Sequence, residues 1–371
     1  MLKSSTLLFK SSSSCLRLSG KSTSERLLFQ GDNHEKYWDS IEDTLAAGVG
    51  VFGFVSFDCF NEWRRKEPNM ALAAFVEIED FSNLQSSLNK SETPSDLREG
   101  NWENSSEGEH HFLKTASTVI QGFENLKNPL ERLTLARRVN ATSHVDVLAS
   151  FETARPHRCS RAFALNVAGY EMVGESPELL LAGNIHHFRT YKLAGTAPKS
   201  HHIEPDQQLR SQMLTSNKLI YEHELSAEAT IRMLSQLGQV SKRGTYILPQ
   251  RHLRHFVSVL ETVVSKDIQF RSILSAVAPS GASPRHLGLQ ALKRLELHSR
   301  GPYYGLAGYV MPNGVSEFVQ IIRTVLRTPS CPSWHTWVGA SIVRGSTSKG
   351  ELDETKLKLQ QIRYITYLPY T

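Results

Sequence analysis

The sequence has no apolar run long enough to cross a lipid bilayer, and its apolar stretches have the length of β-strands. It has only four cysteines, Cys15, Cys59, Cys159 and Cys331, which are far apart and form no CxxC pair. A zinc site or a disulfide framework is therefore not indicated, and a reducing, cytoplasmic setting is the expectation. A massed basic patch is also missing, because 42 basic residues are scattered among 37 acidic ones. Neither membrane insertion nor nucleic-acid binding is expected.

The composition is that of a globular protein, with 40% apolar and 21% charged residues in 371 positions. The first 24 residues are serine-rich, basic and free of acidic residues, which suits a transit peptide or a frayed polar end. We predict a flexible end over residues 1–24 and one large domain over residues 25–371. Residues 80–109 are polar and are expected to form a surface excursion of that domain.

Strand and helix patterns come in runs, which predicts an α+β fold of mostly antiparallel sheets flanked by helices. The turn Pro312-Asn313-Gly314 predicts a hairpin between two strand-like runs, residues 301–310 and 315–326. Residues 206–237 have the apolar spacing of one long helix, and the segment LERLTLARRV, residues 130–139, is also predicted to be helical.

The stretch from Gly339 to Lys358 predicts a strand, a glycine turn and a helix. Ser348 and Glu351 have the spacing of a capping box, and Glu351, Glu354 and Lys358 would share one helix face. Two carboxylates one turn apart can hold a hard cation such as Mg²⁺. The alternative is a solvated face on which Glu354 pairs with Lys358.

A series of motifs along the chain resembles those of the chorismate-utilising enzymes. That family comprises isochorismate synthase, salicylate synthase and the large components of anthranilate and aminodeoxychorismate synthases. The motifs are, in chain order, GFVSFD (Gly53 to Asp58), LTLAR (Leu133 to Arg137), GESPELLL (Gly174 to Leu181), LAGT (Leu193 to Thr196), NKLIYEHEL (Asn217 to Leu225), LRHF (Leu253 to Phe256), ELHSRGPYYGLAGY (Glu296 to Tyr309) and IIRT (Ile321 to Thr324). Their joint order and spacing carry the resemblance, and it implies the α+β fold of that family.

The resemblance also implies roles for individual residues. An essential Mg²⁺, which would grip the ring carboxylate of chorismate, would be held by Glu222, Glu351 and Glu354. The substrate would be bound by Gly195, Thr196, Tyr303, Arg323, Gly339 and Lys358. Glu178 resembles the general acid that protonates the leaving ring hydroxyl, and His255 resembles a histidine near that hydroxyl.

Three positions bear on the branch of the family. Ala194 stands where aminodeoxychorismate synthases carry a nucleophilic lysine, so covalent capture of the ring is disfavoured. Arg132 stands where the water-using branch has a lysine as general base, and arginine is a poor base because it keeps its proton. The segment Ser275–Ser280 departs from the histidine-proline turn of that branch. LAGT resembles the isochorismate and salicylate branch, whereas RGPYYGLAGY resembles the anthranilate branch more closely.

Three hypotheses remain open at this point. The first is an Mg²⁺-dependent isochorismate synthase serving menaquinone or siderophore synthesis, in which Arg132 positions the attacking water. The second is an anthranilate synthase large component that uses ammonia from a glutaminase partner. The third is a chorismate-binding protein that has lost catalysis, because it keeps the acids but lacks the usual lysine.

Overall fold

The fold is built from antiparallel strands, most of which bury both of their faces. The computed structural model describes residues 5–20, 28–29, 34–61, 71–84, 97–103, 106–125, 128–157, 159–265, 267–279 and 281–367. The strands are β1 (Thr6–Lys10), β2 (Cys15–Gly20), β3 (Leu28–Phe29), β4 (Val51–Val55), β5 (Ala73–Asn83), β6 (Leu97–Glu99), β7 (Arg132–Asn140), β8 (Arg161–Val167), β9 (Tyr170–Ser176), β10 (Leu179–Asn184), β11 (His187–Pro198), β12 (Gly238–Pro249), β13 (Leu253–Val264), β14 (Ala282–Ser283), β15 (Leu306–Val310), β16 (Val315–Gln320), β17 (Thr324–Thr328), β18 (Cys331–Val343) and β19 (Ile365–Tyr367). The helices are α1 (His34–Ala46), α2 (Phe57–Asn61), α3 (Ser106–Glu124), α4 (Val147–Thr153), α5 (Ile203–Thr215), α6 (Asn217–Leu234), α7 (Phe270–Val277), α8 (Arg285–Leu295) and α9 (Ser348–Gln360).

Two half-sheets share strand β5. Its first residues, 73–77, pair with β4, and residues 78–83 pair with β2. The first half-sheet runs in the order β14-β7-β18-β17-β9-β8-β1-β2, and the second runs β4-β15-β16-β10-β11-β13-β12. β3 pairs beside β5, and β6 and β19 form a separate pair. All of these pairings are antiparallel, and the predicted α+β class is confirmed.

The main core lies between the two half-sheets. Phe52 and Phe54 of β4 pack there with Phe163 of β8. Because side chains alternate along a strand, Val51 and Val55 point to the opposite face, where they pack in a second cluster with residues of α1 and α7. A strand buried on both faces explains why GVGVFGFV is apolar throughout instead of alternating with polar residues. Helices therefore cover the outer faces, and none of those in the described part of the chain is long and apolar enough to cross a bilayer.

The expected flexible end is wrong for residues 5–20, which form β1 and β2 inside the first half-sheet. β1 pairs along its whole length with β2 on one side and β8 on the other. Leu7 and Phe9 enter the main core, and Leu8 enters the cluster on the opposite face. The free energy gained by burying these apolar side chains outweighs the preference of the neighbouring serines for solvent. Residues 1–4 and 21–24 lie outside the described part of the chain.

Two helix predictions were also wrong in detail. Residues 132–140 form strand β7, because this segment pairs with β18 and β14 and tertiary pairing overrides a helix-like spacing. The helix predicted over residues 206–237 is two helices, α5 and α6, and Ser216 separates them by accepting a hydrogen bond from the amide of Leu219. The hairpin across Pro312-Asn313-Gly314 is present as β15 and β16.

The predicted surface excursion over residues 80–109 is partly ordered secondary structure. β5 continues to Asn83, β6 covers Leu97–Glu99, and α3 begins at Ser106. Residues 85–96 and 104–105 lie outside the described part of the chain.

Candidate active site

One cavity brings together residues from both half-sheets and from α6 and α9. Nine of the twelve predicted site residues line it: Arg132, Glu178, Thr196, Glu222, His255, Tyr303, Arg323, Gly339 and Lys358. Its atom-free space, including solvent at its mouth, is about 710 Å³. Gly195 is next in sequence to Thr196 on β11, whereas Glu351 and Glu354 lie on α9 with Lys358.

Two glycines let backbone and side chains approach each other at this cavity. Gly195 has a φ of +65° and sits where the pairing of β11 with β13 shifts register. A Cβ there would lie 2.7 Å from the carbonyl oxygen of Leu219. A Cβ at Gly339 would lie 2.9 Å from the hydroxyl of Tyr303, whose ring stacks on Trp337 at 5.7 Å between centroids. Only glycine fits both places without displacing a neighbour.

Arg323 is a buried cation held in a defined orientation. Its Nη1 donates to Oε1 of Gln250 at 2.6 Å and its Nη2 donates to Nε2 of His255 at 3.1 Å. Burial lowers its pKa to about 10, although the Glu175 carboxylate opposes that shift, so the guanidinium stays charged at neutral pH. Its φ of +55° is unusual for a residue other than glycine. A charged, strained and buried arginine at a cavity is typical of an anion-binding position.

His255 is neutral in this setting. Burial, together with the charges of Arg323 and Lys358, lowers the pKa of His255 well below its ordinary value. Since the arginine donates to Nε2, the ring proton lies on Nδ1, which is 3.1 Å from Oγ1 of Thr196. The geometry therefore makes His255 a hydrogen-bond link between Thr196 and Arg323.

Glu178 occupies the loop between β9 and β10 and is almost fully buried. Its Oε1 accepts a short hydrogen bond from Nζ of Lys192, a buried lysine on β11. Glu178, which resembles the general acid of the family, is thus paired directly with an amine. Both side chains line the cavity.

Arg132 lies at the start of β7, close to Lys192. Its Nη1 is 3.4 Å from Oγ of Ser341, and its buried Nε has no hydrogen-bond partner among the described residues. Burial acts to raise the pKa of the nearby Tyr304, yet the charges of Lys192 and Arg132 outweigh it, and that pKa is lowered. The charges of Lys192 and Arg132 therefore act together on Tyr304 at this end of the cavity.

Three carboxylates gather at another part of the site. Burial, with the charge of Glu354, raises the pKa of Glu222 to about 8 and also raises the pKa of Glu351. One oxygen of Glu222 and one of Glu351 are buried without a hydrogen-bond partner among the described residues. Such a repelling set of oxygen donors is chemically suited to a hard cation.

Lysines balance this charge in the structure. Lys218 donates to Glu351 at 2.6 Å, and Lys358 lies 2.7 Å from Glu354 and donates to the carbonyl oxygen of Gly339 at 2.8 Å. Within the described residues, no three acidic, histidine or cysteine side chains are already arranged as a metal centre. The carboxylate oxygens are donors of the type that Mg²⁺ prefers. For the ion to bind them, Lys218 would have to release Glu351 and Lys358 would have to release Glu354.

Helix α9 begins one residue away from the predicted capping pattern. The cap is Thr347, whose Oγ1 accepts from the amide of Gly350, and not Ser348. Glu351 faces inward and is buried, whereas Glu354 is only partly buried. Glu351 is thus not on a solvated face, although the pairing of Glu354 with Lys358 that the alternative expected is present.

Sequence reasoning missed two lysines of the site. Lys192 is two residues before Ala194, so period-two alternation along β11 places both on one strand face. Lys218 precedes Glu222 by four residues, which places them on one face of α6. In both cases the spacing was available in the sequence, but no family motif pointed to the lysine.

Comparison with known proteins identifies the family to which this chain belongs. Residues 9–364 match the family described as chorismate binding enzyme. The chain belongs to that family. The resemblance inferred from the motifs is thereby confirmed.

Relatives of this chorismate binding enzyme fall in two branches. Anthranilate synthase component 1 of Saccharolobus solfataricus is 30% identical over 202 residues, which cover 52% of this chain and 47% of the relative. The vibriobactin-specific isochorismate synthase of Vibrio cholerae is 26% identical over 258 residues, 65% of each protein. The chain thus matches about half to two thirds of the length of these relatives.

Solved structures agree with the fold. The crystal structure of a candidate 2,3-dihydroxybenzoate-specific isochorismate synthase from Bacillus anthracis superimposes with a TM-score of 0.77, at 18% identity. The comparison covers 97% of this chain and 96% of that chain. The likeness establishes a shared architecture.

Proposed function

We propose that this chorismate binding enzyme converts chorismate to isochorismate by adding water at ring carbon 2 and releasing the hydroxyl at carbon 4. The observation that carries the proposal is the charge layout of the cavity. Arg323 and Lys358 face it as cations, while Glu222, Glu351 and Glu354 form an acidic group nearby. A substrate with two carboxylates needs such a division, one carboxylate on the cations and one shared with a metal.

Mg²⁺ held by Glu222, Glu351 and Glu354 would neutralise the ring carboxylate and remove its repulsion from these acids. Arg323, oriented by Gln250 and His255, would bind the other carboxylate through its two donor nitrogens. The amides of Gly195 and Gly339 and the hydroxyls of Thr196 and Tyr303 are proposed to complete the contacts. Ring orientation then follows from two fixed charges at separate points.

Glu178 is proposed to protonate the leaving hydroxyl. It is buried and lines the cavity, so a proton on it can pass to substrate without competition from bulk water. Ala194 also lines the cavity and offers no nucleophile, which favours water as the attacking group. Arg132 has an Nε donor with no partner among the described residues, and it could orient that water.

A second candidate is supported by the relatives. The Saccharolobus relative, at 30% identity, is an anthranilate synthase component 1. Under this candidate, ammonia from a glutaminase partner replaces water, and an arginine at position 132 is no obstacle because ammonia arrives uncharged. The four cysteines are free, which agrees with a cytoplasmic location for either activity.

The product distinguishes the candidates. Purified protein is incubated with chorismate and Mg²⁺, with and without ammonium, and the products are separated by chromatography. Isochorismate in both mixtures supports the first proposal, and anthranilate only with ammonium supports the second. Tight binding of chorismate with neither product would leave a binding protein that has lost catalysis.

A further inference from the structure

Lys192 is the remaining charged group of the cavity to which the proposed reaction gives no role. We propose that Lys192 is the general base of this enzyme and that it returns the proton it gains to Glu178 through their direct hydrogen bond. This inference rests on the proposed water addition. It supplies the proton acceptor that Arg132 cannot provide, because a guanidinium keeps its proton whereas a lysine amine can act as a base.

Geometry selects Lys192 among the amines of the site. In the described part of the chain, two lysines line the cavity, Lys192 and Lys358. Lys358 is occupied by the carbonyl oxygen of Gly339 and by Glu354. Lys192 is buried and contacts Glu178, the proposed acid. It also lies near enough to Arg132 for both charges to lower the pKa of Tyr304.

A second cavity adjoins the first at this point. It is walled in part by residues 276–279 and 281–285, and it shares with the substrate cavity the residues Arg132, Lys192, Ser226 and Tyr304. Arg132 and Lys192 therefore lie where the two cavities adjoin. Residues 276–279 of this wall belong to the segment Ser275–Ser280, where the sequence differs from the histidine-proline turn that the resemblance to the water-using branch implies. The altered wall and a general base at position 192 instead of position 132 are both consistent with one rearranged water site.

The proton balance closes within the pair. In its reactive form the pair has an uncharged amine on Lys192 and a protonated carboxyl on Glu178. The water oxygen bonds to ring carbon 2 as Lys192 takes one of its protons. The two ring double bonds each move by one position, the bond from carbon 4 to its hydroxyl breaks, and Glu178 protonates that hydroxyl, which leaves as water.

Lys192 is then an ammonium and Glu178 a carboxylate, which is the ion pair seen in the structure. Transfer of one proton from Nζ to Oε1 restores the reactive form. One water is consumed and one is released, and no oxidant or reductant is needed. Arg132 stays charged throughout and orients the water through its unpaired Nε.

Two substitutions separate a base from a structural ion pair. Lys192→Arg keeps a cation beside Glu178 but cannot accept a proton at neutral pH, and Lys192→Met removes the cation as well. We expect both variants to lose about 100-fold or more in kcat, the usual contribution of a general base. Lys192→Arg should keep its affinity for chorismate, measured by calorimetry, which shows that the variant folds. Lys242→Arg, an exposed lysine on β12, is the matched control.

Three results would overturn the inference. Lys192→Arg with wild-type kcat and only Lys192→Met impaired would make the lysine a structural partner of Glu178. A chorismate-derived mass on Lys192 in quenched wild-type enzyme would make it a nucleophile instead. Wild type that binds chorismate and forms no isochorismate would remove the proposed function together with the base. In the first of these results isochorismate still forms, so the proposed function stands and only the role of Lys192 is lost.

Discussion

Arg323 donates a hydrogen bond to Nε2 of His255 across 3.1 Å, and this contact fixes the imidazole as neutral. A protonated ring would present a second cation to the guanidinium, which burial would make costly. The histidine that resembles a catalytic residue in sequence is therefore a hydrogen-bond partner of Arg323, the arginine proposed to bind substrate.

Arg323→Lys tests that role. A lysine keeps the charge but loses the two-nitrogen contact with a carboxylate and the hydrogen bond to His255. We expect the dissociation constant for chorismate to rise about 10-fold to 100-fold, the size of one or two hydrogen bonds to a charged group. Titration calorimetry measures it. Arg327→Lys, on β17 and paired with Glu171, is the control and should bind as wild type; equal affinity in Arg323→Lys would show that this arginine does not bind substrate.

Glu222 should make stability depend on pH in metal-free protein. Its pKa is raised from 4.5 to about 8, so between those values the native state holds a proton that the unfolded chain has released. The free energy of unfolding therefore falls as pH rises through this window, by on the order of a few kcal/mol. Glu351, whose pKa is also raised, acts in the same direction.

Glu222→Gln should flatten that dependence, because the amide does not titrate. Urea unfolding at a series of pH values, in buffer with a chelator, measures both proteins. An equally steep fall in Glu222→Gln would assign the effect to other groups.

Mg²⁺ should stabilise the folded wild type, because it would offset the electrostatic repulsion among the three carboxylates. At 100 times its dissociation constant, a bound ion raises the free energy of unfolding by about 2.7 kcal/mol. We expect a rise in Tm with Mg²⁺ for wild type and none for Glu354→Gln. Asp353→Asn, an exposed neighbour on the same helix, should respond as wild type does. An equal rise in all three proteins would place the ion elsewhere.

Gly195→Ala adds only one methyl group, but it should disturb both the fold and the site. An alanine would have to adopt a φ of +65° and place its Cβ 2.7 Å from the carbonyl oxygen of Leu219. We expect a loss of about 1–3 kcal/mol in stability together with weaker chorismate binding. Gly244→Ala, on exposed β12 with open space around its Cβ position and also a positive φ, controls for backbone strain alone. Similar binding by both variants would mean that the bulge at Gly195 does not shape the cavity.

Arg132→Lys tests whether a lysine at position 132 can replace Lys192 as the general base. In the background of Lys192→Arg, a lysine at position 132 places an amine again beside the same water position. We expect kcat to rise about tenfold or more over the single variant, a part of what a general base contributes. A double variant that binds chorismate but gains no activity would show that position 132 is not within reach of the attacking water.

The sequence predicted those features that depend on local pattern or on family motifs. The hairpin at Pro312-Asn313-Gly314 follows from its turn residues, and the motifs named nine residues that line one cavity. β7 was mistaken for a helix because its pairing with β18 is fixed by residues some 200 positions away. Lys192 was missed for a related reason, since its significance comes from Glu178 on another loop. The N-terminal strands were hidden by serines that surround a few buried apolar side chains.

Water is proposed to add to the ring of chorismate in this cavity. The most direct measurement incubates the protein with chorismate and Mg²⁺ in water enriched in heavy oxygen and determines the mass of the product. Addition of solvent water predicts isochorismate that carries heavy oxygen in its new hydroxyl. Isochorismate without the label, or bound chorismate that gives no isochorismate, would contradict it.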